Sequence, residues 1–326
     1  MKALLCRAYG PPESLAIEDV PSPEAGPGEV VVAVKAASLN FPDVLIIQDK
    51  YQFKPPLPFV PGSEAAGIVK IVGQDVTNVR VGERVMALTT HGSLAEQVKV
   101  QAGGLVPIPD GMNFSTASAF LLAYGTADHA LRDRATLKVG ETVLVLGAAG
   151  GVGLAAIQIA KATGARVIAC ASTADKLAIC SAYGADEAIN YTAEDLRQRI
   201  RDITGGRGVD VAFDAVGGGY TEAALRSTAW RGRLLVIGFA TGEIPKVSLN
   251  LPLLKGSSIV GVFWGDFVKR EPHQFRKSME MLARWYSEGK LRPHISATVS
   301  LKGAADALRS MAERNVKGKI VVRLDS

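Results

Sequence analysis

The sequence predicts an α/β protein in two parts, a β-rich part followed by a doubly wound parallel sheet. Residues 1–110 alternate short β-rich runs with turns that contain Gly or Pro, which is typical of a small barrel or a distorted sandwich. From residue 142 onward strands and helices alternate regularly, which predicts a parallel sheet with helices on both faces. The length of 326 residues also fits about two domains, at roughly 150 residues for each.

Four strand-like runs define the β-rich part. They are MKALLCRAY, LAIEDVPSPEAGPGEVVVAVKAAS, AAGIVKIVGQDV and ERVMALTT. Over 115–138 the spacing of apolar residues becomes helical, in STASAFLLAYGTADHALRDRA. We therefore expect the first part of the β-rich domain to span 1–120.

The second part is a series of strand–helix units. Its strands are TVLVLG, RVIACAS, EAINY, VDVAFDAV and RLLVIGF, and its helices lie at 151–163, 174–183, 193–203 and 219–229. The strand SSIVGVFW at 257–264 closes this pattern. Helices at 271–288 and 303–314 and a last strand, GKIVVRL, do not extend it. The predicted second domain is therefore 121–264, and 265–326 is a return segment that completes the first domain.

Composition excludes several classes of protein. With 48% apolar and 21% charged residues, the chain can bury a core and is not disordered. The formal net charge is +5, but no run reaches five positive residues, so nucleic acid is not an expected partner. The three cysteines and four histidines show no disulfide or metal-ligand spacing. Without a signal-like N-terminus or a long apolar run, we expect a cytoplasmic protein with no metal and no membrane partner.

A glycine-rich turn follows the strand TVLVL and opens the helix at 151–163. The order of strand, turn, helix and second strand is the context that a dinucleotide fingerprint requires. Ala148 stands where the fingerprint usually has its first glycine, and its methyl group is tolerable if that position keeps a negative φ. Backbone N–H groups at a helix start favour a pyrophosphate. We expect the cofactor to contact Ala148, Ala149, Gly150, Gly151 and Val152. A glycine-rich turn without a ligand is the alternative.

The end of the second strand indicates which dinucleotide binds. NAD sites usually place Asp or Glu there, to bind the ribose hydroxyls. In RVIACAST the strand ends with Ser172 and Thr173, and Lys176 follows one helical turn later. A hydroxyl and an ammonium would bind a 2′-phosphate through charge-assisted hydrogen bonds. The predicted cofactor is NADPH. An ordinary exposed helix lysine is the other interpretation of Lys176.

Several segments together resemble a known family. They are AASLNFPDVLIIQDKY, PFVPGSEAAGIV, VGERVMAL, AYGTADHAL, VLVLGAAGGVG, GADEAINY, GGRGVDVAFDAVGG and VKGKIVV. In this order, over essentially the whole chain, they resemble the zinc-free quinone oxidoreductases of the medium-chain dehydrogenase/reductase superfamily. KPPLPFVPG and LLVIGFATGEIP suggest the quinone oxidoreductase-like protein 2 group within it. The resemblance implies a GroES-like catalytic domain interrupted by a Rossmann domain.

The resemblance also implies further cofactor contacts. Tyr191 would join Ser172 and Lys176 around the 2′-phosphate, although a tyrosine at the end of a strand could simply lie at the surface. The strand end at 236–238 and the segment 262–264 would lie beside the adenosine ribose and the nicotinamide. The cofactor-binding residues expected there are Gly238, Phe239, Phe263 and Trp264.

Zinc alcohol dehydrogenases of the same superfamily carry a Cys and a His at positions that here are Asn40 and Ser63. A zinc mechanism is therefore not expected, because a catalytic zinc takes about three protein ligands. The resemblance points to Asn40 and Tyr51 near the nicotinamide and the acceptor, where an amide or a phenol could polarise a carbonyl oxygen. Asp43 is a further polar candidate, and Thr126 is expected beside the nicotinamide. Asn40 could instead form a turn, Asp43 could start a helix, and Tyr51 could pack.

Hydride transfer without zinc needs an acceptor that is electrophilic by itself. We therefore expect NADPH-dependent reduction of a quinone. One alternative is reduction of the C=C bond of an α,β-unsaturated ketone, aldehyde or acyl-CoA thioester. Another is a non-catalytic protein that senses NADPH or binds RNA. The family leads us to expect a homodimer through SSIVGVFW at the edge of the Rossmann sheet, unless the chain covers that strand itself.

Overall fold

The structure is a computed structural model that describes residues 1–324. The chain divides into two compact units. The first unit combines Met1–Leu122 with the segment that begins at Pro293, and the second is Ala123–Arg292. Among the described residues no helix has the length and apolar character needed to cross a membrane.

Seven strands and two α-helices precede residue 120. The strands are β1 (Lys2–Leu5), β2 (Ala16–Asp19), β3 (Glu29–Ser38), β4 (Glu64–Val72), β5 (Arg84–Leu88), β6 (Gln97–Gln101) and β7 (Leu105–Pro107). The helices are α1 (Phe41–Ile46) and α2 (Phe114–Ser118).

Strand–helix alternation follows. The helices are α3 (Leu121–Asp128), α4 (Gly151–Ala162), α5 (Ala174–Ala182), α6 (Leu196–Ile203), α7 (Gly219–Arg226), α8 (Asn250–Lys255), α9 (Trp264–Arg270) and α10 (Pro272–Ser287). The strands are β8 (Thr142–Leu146), β9 (Arg166–Ala171), β10 (Glu187–Asn190), β11 (Val209–Asp214), β12 (Thr228–Val236) and β13 (Ser258–Gly261). The chain closes with β14 (Ile295–Ser300), α11 (Ala304–Ala312) and β15 (Lys319–Arg323).

The sheet of the first unit is completed by the last strand of the chain. Its order is β14-β15-β3-β4-β5-β7, with β6 also paired to β3. β15 runs antiparallel to β3 and places Val321 opposite Ser38. Valines at alternate positions of β3 suit a pleated strand and lie in the apolar core of this unit, together with Leu308 of α11 and Val322 of β15. Residue 319 is thereby brought to the end of β3.

The second unit is a six-stranded parallel sheet in the order β10-β9-β8-β11-β12-β13. Every residue of β8 is buried, as expected for a parallel strand with helices on both faces. The order reverses beside β8, because β9 and β10 lie on one side of it and β11 to β13 on the other. Ligands of such sheets bind at the carboxyl ends of the strands at this reversal. The α/β fold class predicted from the sequence is confirmed, and this sheet is the Rossmann domain.

The return to the first unit comes later than the predicted boundary after residue 264. Helices α9 and α10 pack within the second unit: the rings of Trp264 and Phe275 meet at 6.0 Å. The ring of Phe267 stacks on His129 at 4.1 Å, and Ser278 Oγ donates to Asp128 Oδ2 at 2.5 Å. These contacts keep the chain in the second unit to Arg292. The strand predicted over 257–264 also ends early, because Trp264 already begins α9.

Candidate active site

The glycine-rich turn joins β8 to α4 at the reversal of the strand order. Gly147 adopts the left-handed conformation with φ 69°, whereas Ala148 is not among the residues with positive φ. The Ala148 N–H donates to the Cys170 carbonyl oxygen at 3.1 Å. The position that requires glycine is therefore Gly147, and an alanine is compatible with the next one.

The start of α4 is open for an anion. Gly150 is the N-cap residue with extended φ and ψ, and no side chain caps the helix. A Cβ added at Gly150 would meet only the Gly147 carbonyl oxygen, at an ordinary 3.4 Å. The first N–H groups of a helix have no partner within the helix and carry its positive dipole end. This turn therefore has the donors and the free space that a pyrophosphate needs.

Two glycines of this turn should respond differently to substitution. A Cβ at Gly153 would lie 2.4 Å from the Gly147 oxygen and 2.7 Å from Ala148 Cα, so Gly153→Ala should destabilise the protein by about 1–3 kcal/mol. Gly150→Ala should leave stability within about 0.5 kcal/mol but weaken NADPH binding, because the methyl group occupies the space beside the helix start. Denaturant unfolding and calorimetric titration with NADPH measure the two effects.

Gly103→Ala is the matched control, because nothing lies within 4 Å of a Cβ built at Gly103. It should change neither stability nor binding. Tight NADPH binding by Gly150→Ala would show that the turn does not hold the pyrophosphate.

The carboxyl end of β9 gathers the residues predicted around a 2′-phosphate. Ser172 follows β9 directly, and Lys176 Nζ lies 3.4 Å from its Oγ. Thr173 caps α5 by accepting the Lys176 N–H. The parallel pairing of β10 with β9 sets Asn190 opposite Ala171, so Tyr191 follows opposite Ser172. The structure therefore brings Ser172, Lys176 and Tyr191 to one strand end.

The residues predicted near the nicotinamide differ in exposure. Gly238 and Phe239 follow β12 and are half-buried, and Phe263 is 52% exposed. The Trp264 ring is buried against Gly125 of α3, where a Cβ would lie 2.4 Å from the indole. The Phe263 side chain is thus accessible, whereas the Trp264 ring is buried. Thr126, next to Gly125, is half-buried on α3.

Asp214, at the end of β11, was not singled out from the sequence. Its buried carboxylate accepts the N–H groups of Val216 and Gly217, each at 2.9 Å, and the Thr221 hydroxyl at 2.6 Å. These hydrogen bonds fix the loop after β11. The Val216 side chain of that loop lies close to Gly147, since a Cβ built on Gly147 would be 3.0 Å from it. Asp214 therefore supports the glycine-rich turn from the neighbouring strand. In the sequence, an Asp stands two positions before Val-Gly-Gly. An Asp in such a place often accepts hydrogen bonds from the backbone of the turn that follows it, and this pattern could have indicated Asp214.

In the first unit, hydrogen bonds join six residues with buried polar side chains, one of the bonds coming from the Asn40 backbone N–H; we call these residues the buried polar network. Its members come from the end of β3, the start of α1, the start of β4 and the start of β15: Ser38, Asn40, Asp43, Ser63, Glu64 and Lys319. Of these, only Asn40 and Asp43 were predicted from the sequence to be catalytic.

Lys319 and Glu64 are the centre of this network. Lys319 Nζ donates to Asn40 Oδ1 at 2.5 Å and to Glu64 Oε2 at 3.2 Å. Glu64 Oε2 also accepts the Ser38 hydroxyl at 2.7 Å, and Oε1 accepts the Leu122 N–H at 2.9 Å. Asn40 Nδ2 donates to Glu64 Oε2 and to the Ser38 carbonyl oxygen, both at 3.3 Å. The amide that was predicted to polarise an acceptor is thus bonded within the network.

Asp43 begins α1 together with Asn40. Asn40 is the N-cap residue, and Asp43 Oδ2 accepts its N–H at 2.8 Å in a capping box. Asp43 Oδ1 accepts the Ser63 hydroxyl at 3.3 Å. Burial raises the pKa of Asp43 to about 7, against the opposing effects of the Asn40 N–H and the Lys319 charge. Half-buried Tyr51 packs on the core, and burial raises its pKa, as does the charge of Asp43.

Comparison with known proteins agrees with both units. Residues 26–110 match the family described as alcohol dehydrogenase GroES-like domain, and 151–284 match zinc-binding dehydrogenase. The chain is 39% identical over 325 residues to the quinone oxidoreductase-like protein 2 homolog of Nematostella vectensis, covering 98% of this chain and 88% of that protein.

Two solved structures are also similar over the whole chain. Escherichia coli quinone oxidoreductase complexed with NADPH matches with a TM-score of 0.93 at 29% identity, over 99% of this chain and 100% of the other. CurK enoyl reductase matches with a TM-score of 0.90 at 27% identity, over 99% of both chains. The fold and these likenesses define an oxidoreductase of the medium-chain dehydrogenase/reductase superfamily. Within it, the chain belongs to the zinc-free quinone oxidoreductase family, as the resemblance indicated.

One matching family is described as zinc-binding, but the buried polar network does not fit a zinc ion. Asn40 and Ser63 offer neutral oxygen atoms, and the Glu64 carboxylate is already paired with the Lys319 ammonium. Residues 1–324 contain no group of three or more His, Cys, Asp or Glu side chains placed to hold a metal. A catalytic zinc takes about three protein ligands and deprotonated donors. Within residues 1–324 the Lys319 ammonium is the only cation that contacts Glu64.

Proposed function

We propose that this protein is a cytoplasmic reductase that transfers a hydride from NADPH to a quinone without zinc. The observation that carries the proposal is the strand end at β9, where Ser172 and the Lys176 ammonium stand in place of a carboxylate, next to the open start of α4. A ribose 2′-phosphate would be attracted there and a carboxylate would repel it. Cys6, Cys170 and Cys180 are all free, which suits a reducing compartment.

Each part of the cofactor has a proposed partner. The N–H groups of Gly151 and Val152 at the start of α4 hold the pyrophosphate, and Ala148, Ala149 and Gly150 border it, since the Ala148 and Gly150 N–H groups already donate to carbonyl oxygens. Ser172, Lys176 and Tyr191 hold the 2′-phosphate, and Gly238, Phe239, Phe263 and Thr126 border the ribose and the nicotinamide. NADPH, when bound, supplies the hydride. Asn40 and Tyr51 are proposed to orient the acceptor, and Lys319 keeps the Asn40 oxygen in place.

Reduction of an activated C=C bond is the second candidate reaction, favoured by the likeness to CurK enoyl reductase. Such an acceptor needs a proton on carbon after the hydride has arrived, which makes a positioned acid more important than for a quinone. The two reactions share the cofactor site and differ in the acceptor.

Oxidation of NADPH and NADH, followed by absorbance, tests the proposal. The acceptors are an ortho-quinone, a para-quinone, an enone, an enal and an acryloyl thioester. We expect turnover of a quinone with NADPH and much slower turnover with NADH. Turnover of the C=C acceptors alone would make the protein an ene reductase. If NADPH binds and no acceptor reacts, the protein is not this kind of catalyst and a sensing or RNA-binding role becomes the one to test.

We further propose a homodimer formed through β13. This strand is the outer strand of the Rossmann sheet. The segment that precedes it exposes four apolar side chains: Ile244, Leu249, Leu253 and Leu254. Pairing with the β13 of a second copy would satisfy the edge and cover α8, which exposes Leu253 and Leu254.

Light scattering at micromolar concentration should give the mass of a dimer for the natural chain. Leu253→Lys, at a side chain that is 77% exposed, should shift the mass towards a monomer without unfolding the protein. Val139→Lys is the matched control, because Val139 is 81% exposed and lies outside this edge. A monomer for the natural chain would refute the dimer.

A further inference from the structure

The buried polar network contains more carboxyl groups than ammonium groups. Two carboxyl groups, Asp43 and Glu64, are fully buried together with a single ammonium group, that of Lys319. If both carboxyl groups were ionised, a net negative charge would be left away from water, which is costly. One proton on one of the two carboxyl groups makes the network neutral.

Hydrogen bonds decide which carboxyl group carries that proton. Glu64 accepts from the Lys319 ammonium, the Ser38 hydroxyl, the Asn40 amide and the Leu122 N–H. Each of these donors favours the ionised form. Asp43 accepts from two neutral donors only, and its raised pKa agrees with a neutral carboxyl group. The proton therefore resides on Asp43.

Asp43 has one route by which its proton can leave. Its Oδ2 accepts the Asn40 N–H, so the proton is on Oδ1, 3.3 Å from Ser63 Oγ. In this protonated form the bond runs from the carboxyl group to the hydroxyl oxygen, and the Ser63 hydroxyl proton is left to donate elsewhere. Asp43 is completely buried, whereas Ser63 is 8% exposed. A hydroxyl can accept one proton while it gives up another. Ser63 is thus placed between a buried acid and the surface of the first unit.

We propose that Asp43 and Ser63 form a proton relay that protonates the acceptor after hydride transfer. The proposal rests on the reductase function proposed above. The hydride brings two electrons to the acceptor and leaves negative charge on it. The Ser63 hydroxyl proton moves to the acceptor, and the proton on Asp43 Oδ1 moves to Ser63 Oγ. Asp43 becomes a carboxylate that the Lys319 charge stabilises, and a proton from water restores it. Ser63 is the catalytic residue, and Asp43 is the acid that returns a proton to it.

The relay has a defined pH dependence. Only the protonated form of Asp43 can supply a proton, so turnover is full below about pH 7 and declines above it. The charged or titratable groups that act on Asp43 are Lys319 of β15, which lowers its pKa, and Glu64 of β4, which raises it. The Tyr51 phenol titrates well above this range, since burial raises its pKa. On α11, which packs on α1, Arg309 is paired with Asp306 and Glu13.

The experiment measures kcat across neutral pH, in H2O and D2O, with saturating NADPH and the acceptor, quinone or C=C, that the natural enzyme reduces fastest. Ser63→Ala should lower kcat by about 100-fold and flatten the decline above pH 7. Ser63→Thr keeps the hydroxyl and should retain most of the turnover. Asp43→Asn should lower kcat and also remove the decline. Calorimetric NADPH titration should give unchanged affinity for all three.

Ser93→Ala is the matched control, because the Ser93 hydroxyl is buried in the same unit and has no hydrogen-bond partner among the described residues. It should leave kcat unchanged. Natural kcat and pH dependence in Ser63→Ala would overturn the relay, even if Asp43→Asn fails to fold. Loss of the decline in Tyr51→Phe, with Ser63→Ala unaffected, would assign the proton to Tyr51. Absence of any turnover by the natural enzyme would instead overturn the reductase function.

Discussion

Replacing Lys319 with methionine should lower the free energy of unfolding by about 3–5 kcal/mol, because it leaves the Glu64 carboxylate buried without a cation. The Lys319 ammonium is 3.2 Å from Glu64, and Glu64 has no exposed surface. The lost hydrogen bond to Asn40 adds to the cost. Denaturant unfolding, followed with a probe in the first unit, measures the change.

Two further variants separate charge from packing. In the Glu64→Gln, Lys319→Met double variant the buried charge is gone, so much of the lost stability should return. Lys302→Met, at an exposed lysine of the same unit, should have an effect within about 0.5 kcal/mol. If Lys319→Met were as mild as Lys302→Met, or the double variant were less stable than the single one, the ion pair would not be what stabilises this site.

Lys176→Ala should weaken NADPH binding by about 10- to 100-fold and leave NADH affinity nearly unchanged, because only NADPH carries the 2′-phosphate. The estimate follows from a hydrogen bond to a charged group, which contributes about 1.5–3 kcal/mol. The 3.4 Å contact of Lys176 Nζ with Ser172 Oγ holds the ammonium at the end of β9. Titration of both dinucleotides by calorimetry or by protein fluorescence provides the two affinities.

Lys277→Ala is the control for Lys176→Ala, since Lys277 is an exposed lysine on α10 of the same unit. It removes the same charge from the chain and should leave both affinities unchanged. An equal loss of NADPH and NADH binding in Lys176→Ala would exclude the 2′-phosphate role, and with it the preference for NADPH.

The cofactor site could be predicted from the sequence because its parts are local. Gly150 starts the helix that follows β8, and Ser172 and Lys176 are separated by a single helical turn. Strand and helix periodicity then place them at strand ends without any long-range information. The left-handed position at Gly147 explains why Ala148 does not disrupt the turn.

The buried polar network could not be predicted in the same way. Lys319 and Asn40 are 279 positions apart, and they meet only because β15 pairs with β3. In the sequence Lys319 stands at the start of an apolar strand, where a lysine is usually exposed. Ser63 was noted only for the zinc ligand that is missing there. The return of the chain to the first unit at Pro293 could not be predicted for a similar reason. Its position depends on the packing of α9 and α10 within the second unit and not on a change in the strand–helix pattern.

The late position of β15 has a consequence for synthesis on the ribosome. Domains usually fold in the order in which they emerge, the N-terminal one first. Here Glu64 is made early, but its only ammonium partner in the described chain arrives at position 319. The second unit, by contrast, is complete once Arg292 has emerged. The inserted unit is therefore expected to fold before the unit that surrounds it, so that the segment made first is the last to reach its native structure.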